Sequence, residues 1–176
     1  MNQPWRRADR AHPRARVIAD RHYNRQKPGT PQFVPPGRCL VLLTEDDQAL
    51  WVTAYPFAEY VQHAWAGAFV NSLFRREGGT ELASDLIRSA CAATAAEWDP
   101  PPLGMVTFID PDRVRHKRDP GRCYRKAGFR PAGHTKAGLV ALQLPPGDFP
   151  EPVAAHVLPD VAGQLDLWAG WPDDLN

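Results

Sequence analysis

The sequence predicts a single α/β domain in which helices flank a mixed central sheet. Three observations carry that expectation. A strand, a glycine turn, a helix and a second strand follow one another without a gap from Gly67 to Ile109. A hairpin comes before them, and a short helix with a last pair of strands comes after. At 176 residues the chain is long enough to bury about two thirds of the surface it would expose unfolded, so one core is expected.

Taken in order, residues 1–14 read as a loose basic arm, 15–144 as the folded domain and 145–176 as a Pro-rich acidic tail lying on or near it. Ala15, Val17, Ile18, Ala19 and Tyr23 recur at helical spacing and predict a short helix ending near Arg25. Four prolines and two glycines between Gln26 and Gly37 then predict a surface loop. Arg38 to Thr44 and Ala49 to Tyr55, on either side of Glu45-Asp46-Asp47-Gln48, form a hairpin pattern. The aromatic stretch 57–66 reads as loop or a brief helix. Ala68 to Phe74 is the next strand, and Arg75 to Thr80 is a turn with Thr80 as the expected N-cap. The helix from Glu81 to Trp98 sets Leu82, Leu86, Ile87, Ala90, Cys91, Thr94 and Ala95 on one stripe, and three prolines from Pro100 end it. Leu103 to Ile109 is nearly unbroken in apolar residues, as a central strand requires, and it delivers Asp110 to the sheet's C-terminal edge, where ligands bind in open α/β folds. Gly121 to Ala127 reads as a short helix closed by Gly128. Phe129 to His134 and Leu139 to Leu144 pair as the last strands. In the tail, 153–168 reads as broken helix, with Trp168 and Trp171 docked on the core.

The formal charge of +1 conceals two basic segments. Residues 1–38 hold nine Lys/Arg against Asp9 and Asp20, and residues 111–136 hold nine against Asp112 and Asp119. No Lys or Arg follows Pro145, so a basic face belongs to the rest of the chain and a polyanion is the partner to expect. Cys39, Cys91 and Cys123 are odd in number and carry no CxxC or Cys/His spacing, which argues against a disulfide framework or a structural zinc site and for a reducing, cytoplasmic setting. The first residues lack the apolar core of a signal peptide, and no stretch is apolar for long enough to span a membrane.

The element order, together with Tyr124-Arg125-Lys126-Ala127-Gly128-Phe129, resembles the GNAT acyltransferase superfamily over residues 15–144. The resemblance implies that the turn Arg75, Arg76, Gly78, Gly79 and Thr80 offers backbone N–H groups to the pyrophosphate of an acyl-CoA, although Thr80 stands where that superfamily has Gly or Ala. It also implies that Tyr124 protonates a leaving group. A narrower set of motifs resembles the Mom proteins of bacteriophages, GNAT-like enzymes that convert DNA adenine to a carbamoylmethyl-adenine and so protect it from restriction. These are Arg21-His22-Tyr23-Asn24-Arg25 before a Pro-rich loop, Asn71-Ser72-Leu73-Phe74, Thr107-Phe108-Ile109-Asp110-Pro111, and His116 with Gly121 to Tyr124.

That resemblance makes His22, Tyr23, Ser72, Asp110 and Tyr124 the candidate catalytic set. Read by themselves, His22 and Tyr23 cap or pack a helix, Ser72 is an ordinary strand serine and Asp110 caps a turn. An ionised carboxylate at the end of a buried strand needs a partner, however, and adenine N6 needs a group to take or orient its proton. Arg21, Arg25, Lys27, Arg113, Arg115, Lys117 and Arg118 are the expected DNA phosphate contacts. The donor stays open between an acyl-CoA-type group and chemistry using a metal such as iron held by His22 and Asp110. Two other readings stand beside the first: an N-acetyltransferase for a small or protein amine, and a nucleic-acid-binding module without catalysis.

Overall fold

A computed structural model of the chain describes residues 2–114 and 118–157. Its seven strands form one mixed sheet in the order β1-β2-β3-β4-β5-β7-β6, and helices lie on both faces. The strands are β1 (Trp5–Ala8), β2 (Arg38–Thr44), β3 (Ala49–Tyr55), β4 (Phe69–Arg76), β5 (Met105–Ile109), β6 (Arg130–His134) and β7 (Val140–Leu144); the helices are α1 (Pro13–Asp20), α2 (Ala83–Glu97) and α3 (Arg122–Lys126). The expected α/β class, the hairpin and the central strand are all present.

The N-terminus corrects the expectation of a loose arm. Residues 5–8 pair antiparallel with β2, because Trp5 is fully buried and its indole N–H donates to the Leu86 carbonyl at 2.9 Å. The tail takes the outer side of this strand. His156 bridges Arg6 in parallel, with Arg7 N–H donating to the His156 carbonyl and His156 N–H to that of Trp5. Residues 153–157 are therefore extended, not helical; the remainder of the expected broken helix, with Trp168 and Trp171, lies outside the described residues.

Helix α1 begins two residues before the apolar stripe. His12 caps it, Nδ1 accepting from Ala15 N–H at 3.5 Å, and Pro13 takes the first turn, where no N–H is needed. It stops at Asp20, so Tyr23 sits in the turn that follows. The Asp20 carboxylate is taken by Arg25 Nε at 2.8 Å and Gly29 N–H at 3.0 Å, which closes the loop instead of extending the helix. Thr80 does not cap α2. Leu82 does, with no side-chain bond, because Gly79 at φ 89° and the Arg76 bond to its carbonyl carry the turn past Thr80 first.

Two packed faces result. Ile87, Ala90 and Cys91 of α2, Tyr124 of α3 and Ala127 just after it cover one side of the sheet with Phe69, Met105 and Ile109. On the other side, Ile18 and Ala19 of α1 cover Val41, Leu50, Val52 and Leu73, while Trp65 covers Val106 and Ala141.

Two irregularities open the sheet. Strand β4 pairs with β5 in parallel only at Phe69↔Met105, Val70↔Val106 and Asn71↔Thr107, after which β4 runs on to Arg76 and β5 to Ile109 without partnering each other. The β3–β4 register also slips, Thr53 facing Asn71 and Val52 facing Leu73, so Ser72 is the extra residue of a β-bulge. The outcome is a wedge between two parallel strands at their C-terminal ends.

Candidate functional site

The wedge holds a groove with two lobes. The inner lobe, about 290 Å³, is walled by Ile109, Val114 and Tyr124 from the α2/α3 side, with Ala83 of α2 at its edge. The outer lobe, about 660 Å³, is walled by Val70 and Phe108 from the opposite face and by Gln26, Asp110 and Leu139. Tyr23, Asn24, Asn71, Ser72 and Phe108 line both, so the two lobes adjoin at the wedge.

Asn71 stands at the apex, where the two strands part. Its Oδ1 accepts from the Tyr124 hydroxyl at 2.6 Å and the Thr107 hydroxyl at 3.2 Å, while Nδ2 donates to the carbonyls of Val52 at 3.1 Å and Leu73 at 2.9 Å. All four bonds of a buried amide are thereby made across three strands and α3. Asn71 and Thr107 stand in two of the quoted motifs but not in the candidate set; the available signal is a polar residue among apolar ones in a strand, which must find partners if buried.

Tyr124 is aimed at this apex by Gly121. The glycine has φ 79°, and a Cβ there would lie 2.6 Å from Ile109 Cδ1, so only glycine lets α3 begin so close to β5. Burial holds the Tyr124 hydroxyl well above the ordinary tyrosine range, and the nearby Cys123 pushes the same way. It is protonated throughout the neutral range and acts as a donor or acid, not as a base.

Across the groove, His22 stacks on Tyr23 with ring centroids 4.5 Å apart, and His22 Nδ1 lies against the Asn24 amide. Asn24 Nδ2 in turn donates to the Ser72 carbonyl at 3.0 Å, tying the turn after α1 to the bulge. Burial raises the Tyr23 hydroxyl above its usual value, and the Asp110 charge adds to this against a backbone hydrogen bond from Asp110.

Asp110 caps its turn and keeps an atom to spare. Oδ1 accepts from Asp112 N–H at 3.0 Å and Arg113 N–H at 3.3 Å, whereas Oδ2, among the described residues, pairs with the Arg113 guanidinium at 3.6 Å. It is the one carboxylate lining the groove among the described residues. His22 lines the inner lobe and Asp110 the outer, and among the described residues no group of three or more His, Cys, Asp or Glu could hold a metal ion.

The cofactor candidates divide. Arg75 and Arg76 line the inner lobe, but Gly78, Gly79 and Thr80 do not. Glu77 N–H is bonded to the Gln48 carbonyl, and a Cβ on Gly79 would meet the carboxylates of Asp46 at 3.2 Å and Glu81 at 3.4 Å. A turn ringed by carboxylates is a poor cradle for a diphosphate.

The phosphate-contact candidates divide too. Arg21 pairs with Glu77 at 3.2 Å, Arg113 donates to the Tyr23 carbonyl at 2.8 Å, and Arg25 is committed to Asp20 and to Thr30. Lys27 and Arg118 are exposed and form no ion pair with a described residue. Arg115, Lys117 and His116 lie outside the described residues. Cys39, Cys91 and Cys123 form no disulfide among the described residues, and among those residues no helix is long and apolar enough to cross a membrane. No family model, curated protein or solved structure matches the chain.

Proposed function

We propose that the chain is a GNAT-like transferase of the Mom type, which modifies the exocyclic N6 of adenine in DNA. One observation carries this reading: His22, Tyr23, Ser72, Asp110 and Tyr124, drawn from four separate segments, line two lobes that adjoin at the wedge, with Tyr23 and Ser72 shared between them. A transfer reaction needs such a pair of lobes, because donor and acceptor must meet at one point while each is held by its own surroundings.

In this reading the donor lies in the inner lobe beside Tyr124 and the acceptor base enters the outer lobe beside Asp110. N6 forms a bond to the donor carbon as the bond to the leaving atom breaks. One N6 proton passes to Asp110 Oδ2, the oxygen not used by the turn, and the leaving atom takes its proton from Tyr124. The amide of Asn71 fixes where the Tyr124 oxygen stands, and Asn24 holds Ser72 and His22 in register. The carboxylates around Gly79 favour a donor other than an acyl-CoA bound through its diphosphate at that turn.

Expression in a bacterium followed by digestion of plasmid DNA and mass spectrometry tests the proposal. A heavier adenine nucleoside is expected, and Asp110→Asn should lower its yield by about 10²-fold or more, the usual scale of a general base. Ordinary nucleosides throughout, with acetylation of a small amine in the same cells, would sink the proposal in favour of an N-acetyltransferase.

A further inference from the structure

Phe108 is out of place for a core strand. The other four residues of β5 are buried, yet Phe108 is half-exposed and borders both lobes. Two further rings pack on it at steep angles: His63 at 5.0 Å between centroids and 57°, and Trp65 at 5.6 Å and 63°. Trp65 is only 9% exposed, and its backbone N–H donates to His63 Nδ1 at 3.1 Å, so the imidazole is tied to the backbone at Trp65. Burial lowers the His63 pKa, which keeps that backing uncharged at neutral pH. A partly exposed ring on a cavity wall, held by its neighbours, is what a planar guest requires.

The rest of the outer lobe fits one kind of guest. Val70 and Leu139 extend the apolar wall, whereas Gln26 and Asp110 supply polar groups at its rim. Gln26 is exposed and carries no hydrogen bond among the described residues, unlike Asn24 and Asn71, whose amides are used within the fold. Its amide presents one donor and one acceptor side by side, the complement of an adenine edge with its amino group and ring nitrogen; guanine and thymine offer carbonyl oxygens where adenine has that amino group.

We infer that the outer lobe is a nucleobase slot in which an unpaired adenine stacks on Phe108 and is read along its edge by Gln26. The inference rests on the transferase reading for why the base is there, but concerns binding alone. Phe108 and Gln26 are positioning and selecting residues, distinct from the groups assigned to proton transfer. A base can reach such a slot only from a single strand or by extrusion from a duplex.

The experiment uses the full chain and a single-stranded thymine oligonucleotide carrying one 8-vinyladenine, which keeps adenine's amino group and whose fluorescence is quenched by stacking. Quenching on addition of the wild type is expected. Phe108→Ala and Phe108→Leu should both abolish it and weaken binding about tenfold, the scale of one lost base–aromatic stack; the leucine variant keeps the apolar fill, so a thermal melt like that of the wild type shows that it folds. Gln26→Glu, which removes the donor, should reduce the preference for adenine over thymine strands about tenfold while leaving quenching in place. Absence of quenching with the wild type, quenching unchanged in folded Phe108→Leu, or tighter binding of cytosine than of adenine strands would each overturn the slot. A heavier plasmid adenine with any of these outcomes would overturn the slot and leave the transferase; quenching that depends on Phe108 with ordinary plasmid nucleosides would uphold the slot and remove the transferase.

Discussion

Burial makes Tyr124 keep its proton to a higher pH than an ordinary tyrosine does, and this has a sign that can be checked. Its folded-state pKa lies above its unfolded value of about 10, so the stability it contributes is complete below that pH and is lost as pH rises toward the folded value. In an absorbance titration of the four tyrosines, Tyr124 and Tyr23 should ionise late, and the Tyr124→Phe variant should lose a late step. That substitution should cost about 1 kcal/mol, the scale of one hydrogen bond, because Asn71 Oδ1 retains the Thr107 hydroxyl. A titration in which every tyrosine ionises together near the ordinary value would count against a buried hydroxyl. The same residue shows where reading the sequence stops. That Tyr124 matters follows from its motif, but that Asn71 holds it does not, since the two are 53 positions apart and meet only once β4, β5 and α3 are assembled. Arg25 teaches the converse: its charge suggested a phosphate, and the fold spends it on Asp20 and Thr30.

Among the elements, those with long apolar runs were the legible ones. The bounds of β2 and β3 coincide with the expected hairpin, because each has seven residues of strand-forming character and the intervening acidic turn is unmistakable. Strand β1 was not legible. Four residues with two arginines look like a solvated arm, and only the pocket that receives Trp5 turns them into a strand. Trp5→Ala should therefore cost about 3–5 kcal/mol in chemical denaturation, as for other buried tryptophans. A change within about 0.5 kcal/mol would restore the loose arm. The wedge was equally hidden, since a parallel pair that stops after Asn71 and Thr107 is a matter of register, which local pattern does not encode.

For the whole molecule, most basic side chains near the groove are already neutralised by carboxylates of the fold, and Lys27 and Arg118 are the exposed cations left among the candidates described. If DNA lies along that rim, replacing both by Ala should flatten the log–log dependence of affinity on salt by about 2, two contacts at about 0.9 each. Arg25→Ala should act differently, lowering stability by about 1.5–3 kcal/mol through its lost bonds to Asp20 and Thr30 while leaving that slope alone. An unchanged slope in the double variant would place DNA on another face. The wedge in the sheet bears on this arrangement as well. A hydrogen-bonded sheet is a partition that two molecules cannot cross, and the gap beyond Asn71 and Thr107 interrupts it, with α2 and α3 on one side and the Gln26 loop on the other. Under the proposed function, a macromolecule and a small donor then approach from opposite sides without competing for room. On that reading each is exchanged while the other stays seated, and loops on the proposed DNA side vary without disturbing the proposed donor side.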